Sequence, residues 1–469
     1  MKIEQLYTGC LAQGAYYIES NGEVAIIDPL REVHTYIDMA ENRGAKIKYI
    51  FETHFHADFV SGHVTLAERT GGEIVYGPTA NPDFECTIAT DNQEFKLGGV
   101  TIKVLHTPGH TMESSSYLLL NENGKEHSLF SGDTLFLGDV GRPDLAQKAA
   151  SITQEELAGT LFDSLRSKIM TLPDDTIVYP GHGAGSACGK NMSKETVGSI
   201  GDQKATNYAL RADMTRDEFI KEVTDGLLAP PAYFPMNVKL NKTGYKDVKE
   251  VVSKGKNPLS PEEFESAANE TGAIVLDVRH QSDFSEGHIP RSIFIGIAGN
   301  FAPWVGSLIK DIEQPILLIT PEGMLEETII RLSRVGFDNV IGYLEGGINA
   351  WKDLGKEIDT VDSITPEEFA SRKSDSEIFV VDVRKESEYM SEHVFNAINT
   401  PLSEINMHLA KYNDDVPSYV HCAGGYRSMI ASSILKSRGV HNIVEVQGGF
   451  NAIKGTSVGI SEYVCPTTL

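Results

Sequence analysis

The stretch Thr53-His54-Phe55-His56-Ala57-Asp58-Phe59 places three side chains able to bind metal within five residues, and a phenylalanine follows the aspartate. Imidazole and carboxylate are the ligands that borderline first-row metals take. The stretch therefore predicts a metal site. The apolar ring of Phe59 restricts which metal chemistry that site can run.

Three more loops of the N-terminal half carry histidine or aspartate: Thr107-Pro108-Gly109-His110-Thr111, Ser131-Gly132-Asp133-Thr134 and Tyr179-Pro180-Gly181-His182-Gly183. Each of the four loops follows an apolar, strand-like run. The strand-like segments Glu23–Ile27, Ile47–Ile50 and Val100–Val104 are separated by turns. Strands deliver their loops to one edge of a sheet, so the four loops can converge there. One isolated histidine would be explained as a hydrogen-bonded loop residue, whereas four such loops favour a metal site.

These loops resemble those of the metallo-β-lactamase superfamily, an αββα sandwich with metal between its sheets. The usual motif of that family is His-x-His-x-Asp-His, followed by a later His, an Asp and a final His. Phe59 stands here where the motif has its last His. The resemblance implies that a first metal keeps its ligands. A second metal loses one ligand and gains an apolar ring, which disfavours a dinuclear hydrolase.

Within the superfamily, the chain is most similar to the persulfide dioxygenases, which hold one iron with two His and one Asp. Carried over by position, the ligands of one Fe(II) per chain are His54, His110 and Asp133. Two imidazoles and one carboxylate leave three open positions, as in non-haem Fe(II) oxygenases. Oxygen and a persulfide sulfur can then bind side by side. The candidates to orient ligands or substrate are His56, Asp58 and His182.

Two further residues of this region have two interpretations each. The run Gly138–Asp144 also resembles the persulfide dioxygenases, and its Arg142 either anchors an anionic group or pairs with Asp144. Cys188 follows His182 by six positions. It is either a buried small apolar residue or a thiol near the site that accepts sulfane sulfur.

The C-terminal part contains an internal repeat. Ser260–Phe264 recurs as Thr365–Phe369, and each copy reads as a helix start with a hydroxyl N-cap, proline first and glutamate third. A spacing of about 105 residues is the size of a small domain. Apolar runs separated by helical patterns predict a parallel sheet covered on both faces. The runs are Ala273–Leu276, Pro315–Ile319, Ile378–Val381 and Ser418–Val420.

These patterns predict an α/β multidomain protein. We expect a metallo-β-lactamase-like domain over 1–245, an inactive rhodanese-like domain over 246–358 and an active rhodanese domain over 359–469. Pro230–Pro235 reads as a stiff, non-helical exit from the first domain.

Cys422 ends an apolar strand, and a helix follows over Met429–Leu435. The glycine-rich loop between them can aim N–H groups at the sulfur, and the helix N-terminus adds positive potential, so a thiolate or persulfide anion is stabilised there. Arg427 adds a fixed charge. A buried structural cysteine is the disfavoured interpretation, because this is an electropositive thiol environment.

This pattern resembles a rhodanese domain, whose active-site cysteine carries sulfane sulfur as a persulfide. Asp382 and Arg384 are the matching upstream pair, with a structural role. In the first copy, Thr320 replaces the cysteine and Leu325 replaces the arginine. That copy is therefore expected to be catalytically silent, serving spacing and docking.

Composition sets the remaining limits. A chain of 469 residues is expected to hold two to four domains, and its 41% hydrophobic and 23% charged residues are typical of a soluble globular protein. A net charge of −25 argues against nucleic acid and anionic membrane as partners. Five scattered cysteines and a start without a signal-peptide pattern favour the cytoplasm and no disulfide framework. A homo-oligomer is expected, of a size that the sequence does not specify.

The fusion of the two resemblances predicts a joint function in sulfide detoxification. A persulfide dioxygenase oxidises the outer sulfur of a thiol persulfide to sulfite with O2, and a rhodanese can move sulfane sulfur onto sulfite, giving thiosulfate. The resemblance implies glutathione, coenzyme A or another cellular thiol as the carrier, and the sequence does not choose among them. One alternative is a thioester hydrolase resembling glyoxalase II, with two zinc ions. Another is a sulfur-carrier scaffold in which only Cys422 works.

Overall fold

The computed structural model describes residues 1–145, 152–227, 229–375, 377–412 and 414–465. Contacts divide the chain into two compact units. The first is Met1–Val248 with Leu332–Gly336, and the second is Lys249–Arg331 with Phe337–Leu469. This division leaves both copies of the repeat in the second unit, so the domain limits of 245 and 358 stay predictions.

Two six-stranded sheets form the first unit. In spatial order, one sheet contains β1 (Lys2–Thr8), β2 (Gln13–Ser20), β3 (Glu23–Ile27), β4 (Lys46–Glu52), β5 (Glu73–Tyr76) and β6 (Thr87–Ile88). The other contains β12 (Gly198–Ser199), β11 (Ile177–Pro180), β10 (Glu126–Gly132), β9 (Ser115–Leu120), β8 (Val100–His106) and β7 (Glu94–Leu97). The predicted segment Glu23–Ile27 matches β3, and the predictions around Ile47 and Val100 fall inside longer strands.

The two sheets pack face to face around an apolar core, which includes Ile27 and Phe51 from one sheet and Val104 and Tyr117 from the other. The rings of Phe51 and Tyr117 lie 4.7 Å apart across this layer. Helices cover the outer faces, because each sheet has a second apolar face to bury. The αββα sandwich predicted from the sequence is confirmed.

In the part of the first unit that the structure describes, the helices are α1 (His34–Asn42), α2 (His63–Thr70), α3 (Gln154–Ser164), α4 (Ile200–Thr206), α5 (Arg216–Thr224) and α6 (Phe234–Thr243). A π-helical turn over Leu165–Ile169 continues α3, and Tyr208–Leu210 is a 3₁₀ turn. The prediction that Pro230–Pro235 is wholly non-helical is wrong at its end. Phe234 and Pro235 open α6, where a proline is tolerated because its missing N–H needs no partner.

The second unit contains two five-stranded sheets of the same topology. One has the spatial order β13 (Pro258–Leu259), β17 (Val340–Leu344), β16 (Ile316–Ile319), β14 (Ile274–Asp277) and β15 (Ile293–Phe294). The other has β18 (Asp362–Ile364), β22 (Ile443–Val446), β21 (Ser418–His421), β19 (Phe379–Asp382) and β20 (Ile398–Asn399). Neighbouring strands are parallel throughout both sheets. The predicted repeat of a parallel α/β unit is confirmed.

Helices flank both of these sheets: α7 (Val248–Gly255), α8 (Pro261–Thr271), α9 (Gln281–Glu286), α10 (Phe301–Leu308), α11 (Leu325–Arg334), α12 (Gly347–Asp353), α13 (Pro366–Asp375), α14 (Glu386–Ser391), α15 (Tyr426–Ser437) and α16 (Gly449–Ile453). Short 3₁₀ turns lie over Leu402–Met407 and Leu409–Lys411. Among the described residues, no helix has the length and apolar character needed to span a membrane.

The repeated helix starts form as the sequence predicts. Ser260 accepts a hydrogen bond from the Glu263 N–H, and the Glu263 carboxylate accepts one from the Ser260 N–H. Thr365 and Glu368 make the same reciprocal pair. Each pair satisfies donors that a helix N-terminus otherwise leaves open.

Candidate metal centre and cysteine site

The loops after β4, β8 and β10 bring His54, His110 and Asp133 together in the first unit. Nε2 of His110 lies 3.5 Å from Oδ2 of Asp133, and Nε2 of His54 lies 3.9 Å from the same oxygen. All three residues are buried, and one ligand atom from each falls within 4.8 Å of the others. The structure therefore assembles the three side chains that the sequence pattern selects.

The donor set fits a metal ion. Neither carboxylate oxygen of Asp133 has a hydrogen-bond partner among the described residues, although both are buried. A buried, unpartnered carboxylate is costly, and a cation at this position would remove that cost. Nδ1 of His110 donates to the carbonyl oxygen of Arg142 at 2.9 Å, so its Nε2 is left with a free lone pair facing Asp133.

A second hydrogen-bond chain orients His54. The Thr53 hydroxyl donates to Oδ2 of Asp28 at 2.9 Å, and the Thr53 N–H donates to Oδ1 at 2.8 Å. Nδ1 of His54 lies 3.0 Å from that hydroxyl. Because the one hydroxyl hydrogen goes to the carboxylate, Nδ1 of His54 is the donor in this contact and Nε2 is the metal-facing atom.

Burial, with the neighbouring histidines His56, His110 and His182, holds the pKa of His54 well below its ordinary value. His54 is therefore neutral at neutral pH, the form that binds metal. His56 behaves in the opposite way. Burial opposes its protonation, but Asp28 and Glu52 outweigh burial and raise the pKa of His56 well above its ordinary value.

His56 does not face Asp133 in the way that the triad histidines do. Its Nε2 lies 3.1 Å from Oδ1 of Asp28 and 3.4 Å from Oε2 of Glu52. Burial raises the pKa of Glu52 to about 7. The two carboxylates therefore fix the position of the His56 ring, and through it His56 can orient the metal loop.

His56 also joins Asp58 and His182 in a second buried cluster whose ligand atoms lie within 4.8 Å of one another. Nε2 of His182 lies 3.4 Å from Asp58 and 3.6 Å from Asp133, so this cluster adjoins the triad. Phe59 is fully buried beside it, with its ring 4.3 Å from the ring of His56. An apolar ring therefore packs directly against His56, one member of this second cluster.

Arg142 and Cys188 line the same region. The Arg142 guanidinium makes two hydrogen bonds to the Asp144 carboxylate, at 2.6 and 2.7 Å, so of the two interpretations the structure shows the ion pair. Cys188 is buried, and its sulfur lies within 4.8 Å of ligand atoms of Asp133 and His182. Burial, followed by the charges of Asp58 and Asp133, raises the pKa of the Cys188 thiol well above its ordinary value.

One partner of the metal loop was not identified from the sequence. Asn241 on α6 donates to the carbonyl oxygens of His56 and Phe59, each at 2.8 Å, and accepts from the Ser61 N–H. It thereby clamps the loop from a helix nearly two hundred residues away in the chain. Gly181 permits a close approach, since a Cβ there would lie 2.6 Å from Oδ1 of Asp133.

The second unit contains the cysteine site. Cys422 directly follows β21 and is buried, and its sulfur accepts a hydrogen bond from the Gly425 N–H at 3.1 Å. Arg427, in the first turn of α15, makes two hydrogen bonds to the Glu388 carboxylate at 2.6 and 2.8 Å. The predicted loop, helix and charge are therefore in place, and the arginine is held by a glutamate that lies outside the sequence motif.

Asp382 and Arg384 form a buried two-point ion pair, with the shortest contact 2.6 Å. The first copy repeats it between Asp277 and Arg279, also at 2.6 Å. These two pairs hold the loops that follow β14 and β19. Thr320 follows β16 in the place of Cys422, and Leu325 begins α11, so this loop has neither the thiol nor the arginine.

Comparisons with known proteins agree with this architecture. The model of the metallo-beta-lactamase superfamily matches residues 8–85, and the model of the rhodanese-like domain matches residues 260–354 and 365–456. A solved metallo-beta-lactamase from Staphylococcus aureus is 31% identical with a TM-score of 0.64, covering 73% of this chain and 98% of its own. ETHE1 from Myxococcus xanthus is 30% identical with a TM-score of 0.45, covering 52% of this chain and 98% of its own.

Among curated proteins, the cytoplasmic hydroxyacylglutathione hydrolase of Arabidopsis thaliana is 33% identical over 187 residues, covering 39% of this chain. A hydroxyacylglutathione hydrolase of Rhizobium etli is 37% identical over 165 residues, covering 34% of this chain. The chain spans 67% of the length of the first relative and 57% of the second.

Fold and site together define a metal-binding αββα sandwich followed by two rhodanese-like domains. The chain belongs to the metallo-β-lactamase superfamily.

Proposed function

We propose that this chain combines two activities, a persulfide dioxygenase and a sulfurtransferase. It oxidises low-molecular-weight thiol persulfides to sulfite at one non-haem Fe(II), and Cys422 supplies sulfane sulfur that converts sulfite to thiosulfate. The observation that carries the proposal is the buried triad of His54, His110 and Asp133. Two imidazoles and one carboxylate are the ligand set of non-haem Fe(II) oxygenases, which keep positions open for O2 and substrate.

The oxidation balances with water as co-reactant. One thiol persulfide, one O2 and one water give one thiol, one sulfite and two protons. Iron held by the triad would supply the activation of O2. The protein holds the two histidines with Nε2 toward the metal position, through the Arg142 carbonyl and the Thr53 hydroxyl. Asp58 and His182 lie 3.4 Å apart beside Asp133, where they can hold a proton released from the substrate.

The transfer step uses the second unit. The Cys422 thiolate attacks the outer sulfur of a persulfide, a new S–S bond forms, and the carrier thiol leaves with the electron pair of the old bond. Sulfite then attacks the outer sulfur on Cys422, which releases thiosulfate and restores the thiolate. The Gly425 N–H, 3.1 Å from the Cys422 sulfur, stabilises the anion in both steps.

Two variants test the two halves separately. His110→Ala should abolish O2 consumption with glutathione persulfide, and His106→Ala, outside the triad, should retain it. Cys422→Ser should still form sulfite and lose thiosulfate formation, while Cys465→Ser should behave as the parent. If Cys422→Ser makes thiosulfate at the parental rate, the sulfurtransferase half is wrong.

A second candidate function is thioester hydrolysis with two zinc ions, as in glyoxalase II. The adjoining cluster of His56, Asp58 and His182 favours it, and so do the names of the two curated relatives. Phe59 argues against it, because a dinuclear centre needs a fuller ligand set. Metal analysis discriminates, since one iron per chain supports the oxygenase and two zinc ions support the hydrolase.

The proposed partners are a thiol persulfide of glutathione, coenzyme A or a similar thiol, together with O2 and sulfite or thiosulfate. A cytoplasmic location, a homo-oligomer and the exclusion of nucleic acid and membrane as partners stay predictions from the sequence.

A further inference from the structure

A buried hydrogen-bond chain lies beneath Cys422. The hydroxyl oxygen of Ser428 on α15 is 3.5 Å from the Cys422 sulfur and 2.8 Å from Oε1 of Glu445 on β22. The same hydroxyl is 3.0 Å from the Gly425 carbonyl oxygen. Ser428 therefore links a carboxyl group to the reactive sulfur in this chain of contacts.

Glu445 is an unusual occupant of its position. Its strand is buried at all four residues, and Val444 and Val446 on either side of Glu445 belong to the apolar core. Glu445 itself is only 3% exposed. A carboxyl group at such a site costs stability unless it is partnered, and its second oxygen accepts a hydrogen bond from Ser363 at 3.0 Å. Packing alone would favour an apolar side chain here.

A serine hydroxyl has one hydrogen, so Ser428 cannot donate to both Glu445 and Cys422. When Glu445 is ionised, the short contact at 2.8 Å takes that hydrogen, because hydrogen bonds to a charged acceptor are the stronger ones. Ser428 then presents only lone pairs to the sulfur, which suits a neutral thiol. When Glu445 is protonated, it can donate to Ser428, and the serine hydrogen is released to the Gly425 carbonyl oxygen at 3.0 Å or to the sulfur at 3.5 Å. A thiolate or persulfide sulfur is charged and is then the stronger of these two acceptors, so the hydrogen turns to the anion.

We propose that Glu445 is a positioning residue whose protonation sets, through Ser428, the charge state that Cys422 holds. A proton taken up by Glu445 accompanies the appearance of negative charge on the sulfur, because only the protonated carboxyl group releases the Ser428 hydrogen for the sulfur. This inference rests on the proposed sulfurtransferase activity of Cys422, and it adds the residue that controls the thiol.

The hydrogen bonds to the Glu445 carboxyl group come from two hydroxyls, those of Ser428 and Ser363. Burial raises the pKa of Glu445, and the hydrogen bonds from Ser428 and Ser363 partly oppose that rise.

The charged groups on the elements that neighbour Glu445 have partners of their own. Arg427 on α15 pairs with Glu388, Lys436 on α15 pairs with Asp359, and Arg384 pairs with Asp382. On β21, the strand beside β22, Tyr419 accepts a hydrogen bond from Arg372, and His421 lies 4.0 Å from Asp382. On β18, Asp362 is exposed.

The test measures alkylation of Cys422 against pH in the full-length protein, with the modified peptide quantified by mass spectrometry. Glu445→Gln places an amide that donates to Ser428 at every pH, as the protonated acid would. It should lower the pH midpoint of alkylation by about one unit, which is about a tenfold gain in rate below the midpoint. Ser428→Ala should raise the midpoint, because the thiolate loses a donor. Glu262→Gln, in the exposed first turn of α8, is the matched control and should not move it.

The double variant separates this relay from a direct effect of charge. In the Ser428→Ala background, Glu445→Gln should no longer shift the midpoint. The inference is overturned if Glu445→Gln leaves the midpoint unchanged, or if its shift persists without Ser428. Should Glu445→Gln fail to fold, the direction of the Ser428→Ala shift decides instead, and an unchanged or lowered midpoint contradicts the inference. Failure of the proposed function is seen separately, as absence of thiosulfate formation in the parent protein, because alkylation needs no turnover.

Discussion

Thr53 and Asp28 are joined by two buried hydrogen bonds, from the Thr53 N–H at 2.8 Å and from the Thr53 hydroxyl at 2.9 Å. Asp28 follows β3, and Thr53 precedes the first metal-loop histidine, so the pair ties two strand ends together beneath the metal position. Since the Thr53 hydroxyl donates its one hydrogen to Asp28, Nδ1 of His54 donates to the Thr53 hydroxyl oxygen. Nε2 of His54 is then the atom that faces the metal position.

Thr53→Val should therefore weaken metal binding without removing a ligand. Loss of a partner that orients a metal-bound histidine typically costs about 10-fold to 100-fold in affinity. Metal titration with a competing chelator measures this change. Thr176→Val is the matched control, because Thr176 is equally buried and its hydroxyl has no hydrogen-bond partner among the described residues. Equal losses in both variants would show that the Asp28–Thr53–His54 chain does not orient the metal ligand.

Phe59→His should increase the amount of metal bound per chain. The new imidazole would join the buried cluster of His56, Asp58 and His182, which adjoins Asp133. Metal content after dialysis should rise from about one ion toward two. Phe59→Leu keeps an apolar side chain and should retain the parental ratio. An unchanged ratio in Phe59→His would mean that some other feature excludes the second ion.

Asn241→Ala should destabilise the first unit and loosen the metal loop. The substitution leaves the carbonyls of His56 and Phe59 and the N–H of Ser61 without their partner. Buried unsatisfied groups of this kind make the expected loss of unfolding free energy about 2–4 kcal/mol. Urea unfolding followed by tyrosine fluorescence measures it.

Asn237→Ala provides the control for that experiment. Asn237 lies one turn earlier on α6 and is fully buried, and its amide has no hydrogen-bond partner among the described residues. Its removal should cost much less than that of Asn241. A larger loss in Asn237→Ala than in Asn241→Ala would contradict the clamp.

The buried His288 should make the stability of the second unit depend on pH. Burial lowers the pKa of His288 from 6.5 to about 4. An unfolded chain therefore takes up a proton near pH 6.5 that the folded chain accepts only near pH 4, and stability falls as the pH drops through this window. Between pH 7 and pH 4 the loss from this one group is about 3 kcal/mol.

His288→Phe keeps a ring to stack on Phe284, from which the imidazole lies 3.9 Å. The variant should show a smaller decline of unfolding free energy between pH 6.5 and pH 4 than the parent. Denaturant unfolding at a series of pH values measures both slopes. Parallel curves for the two proteins would show that His288 is not the proton-linked group.

Local sequence signals predict the strands and the reactive loops well, because these depend on residues that are neighbours in the chain. Glu23–Ile27 matches β3 because its apolar run is closed by a turn at each end, and Cys422 follows its strand as its motif requires. Strand limits are less visible. β4 extends beyond Ile47–Ile50 to Lys46–Glu52, since its ends are set by pairing with other strands.

The partners that orient the site depend on contacts between distant segments. Asn241 has no local signal, because it meets the metal loop only after α6 has packed. Asp28 does have a local signal, because it is a carboxylate directly after a strand, and that pattern also marks the other site residues. Glu445 lies inside an apolar strand, where an acidic residue is out of pattern, and that mismatch is visible in the amino-acid sequence itself.

The most direct test of the central proposal is O2 uptake and sulfite formation by Fe(II)-loaded protein given glutathione persulfide. The proposal predicts one O2 consumed for each sulfite formed, with both lost in His110→Ala. Protein that consumes no O2, binds two zinc ions and cleaves a glutathione thioester would contradict it and establish the hydrolase instead.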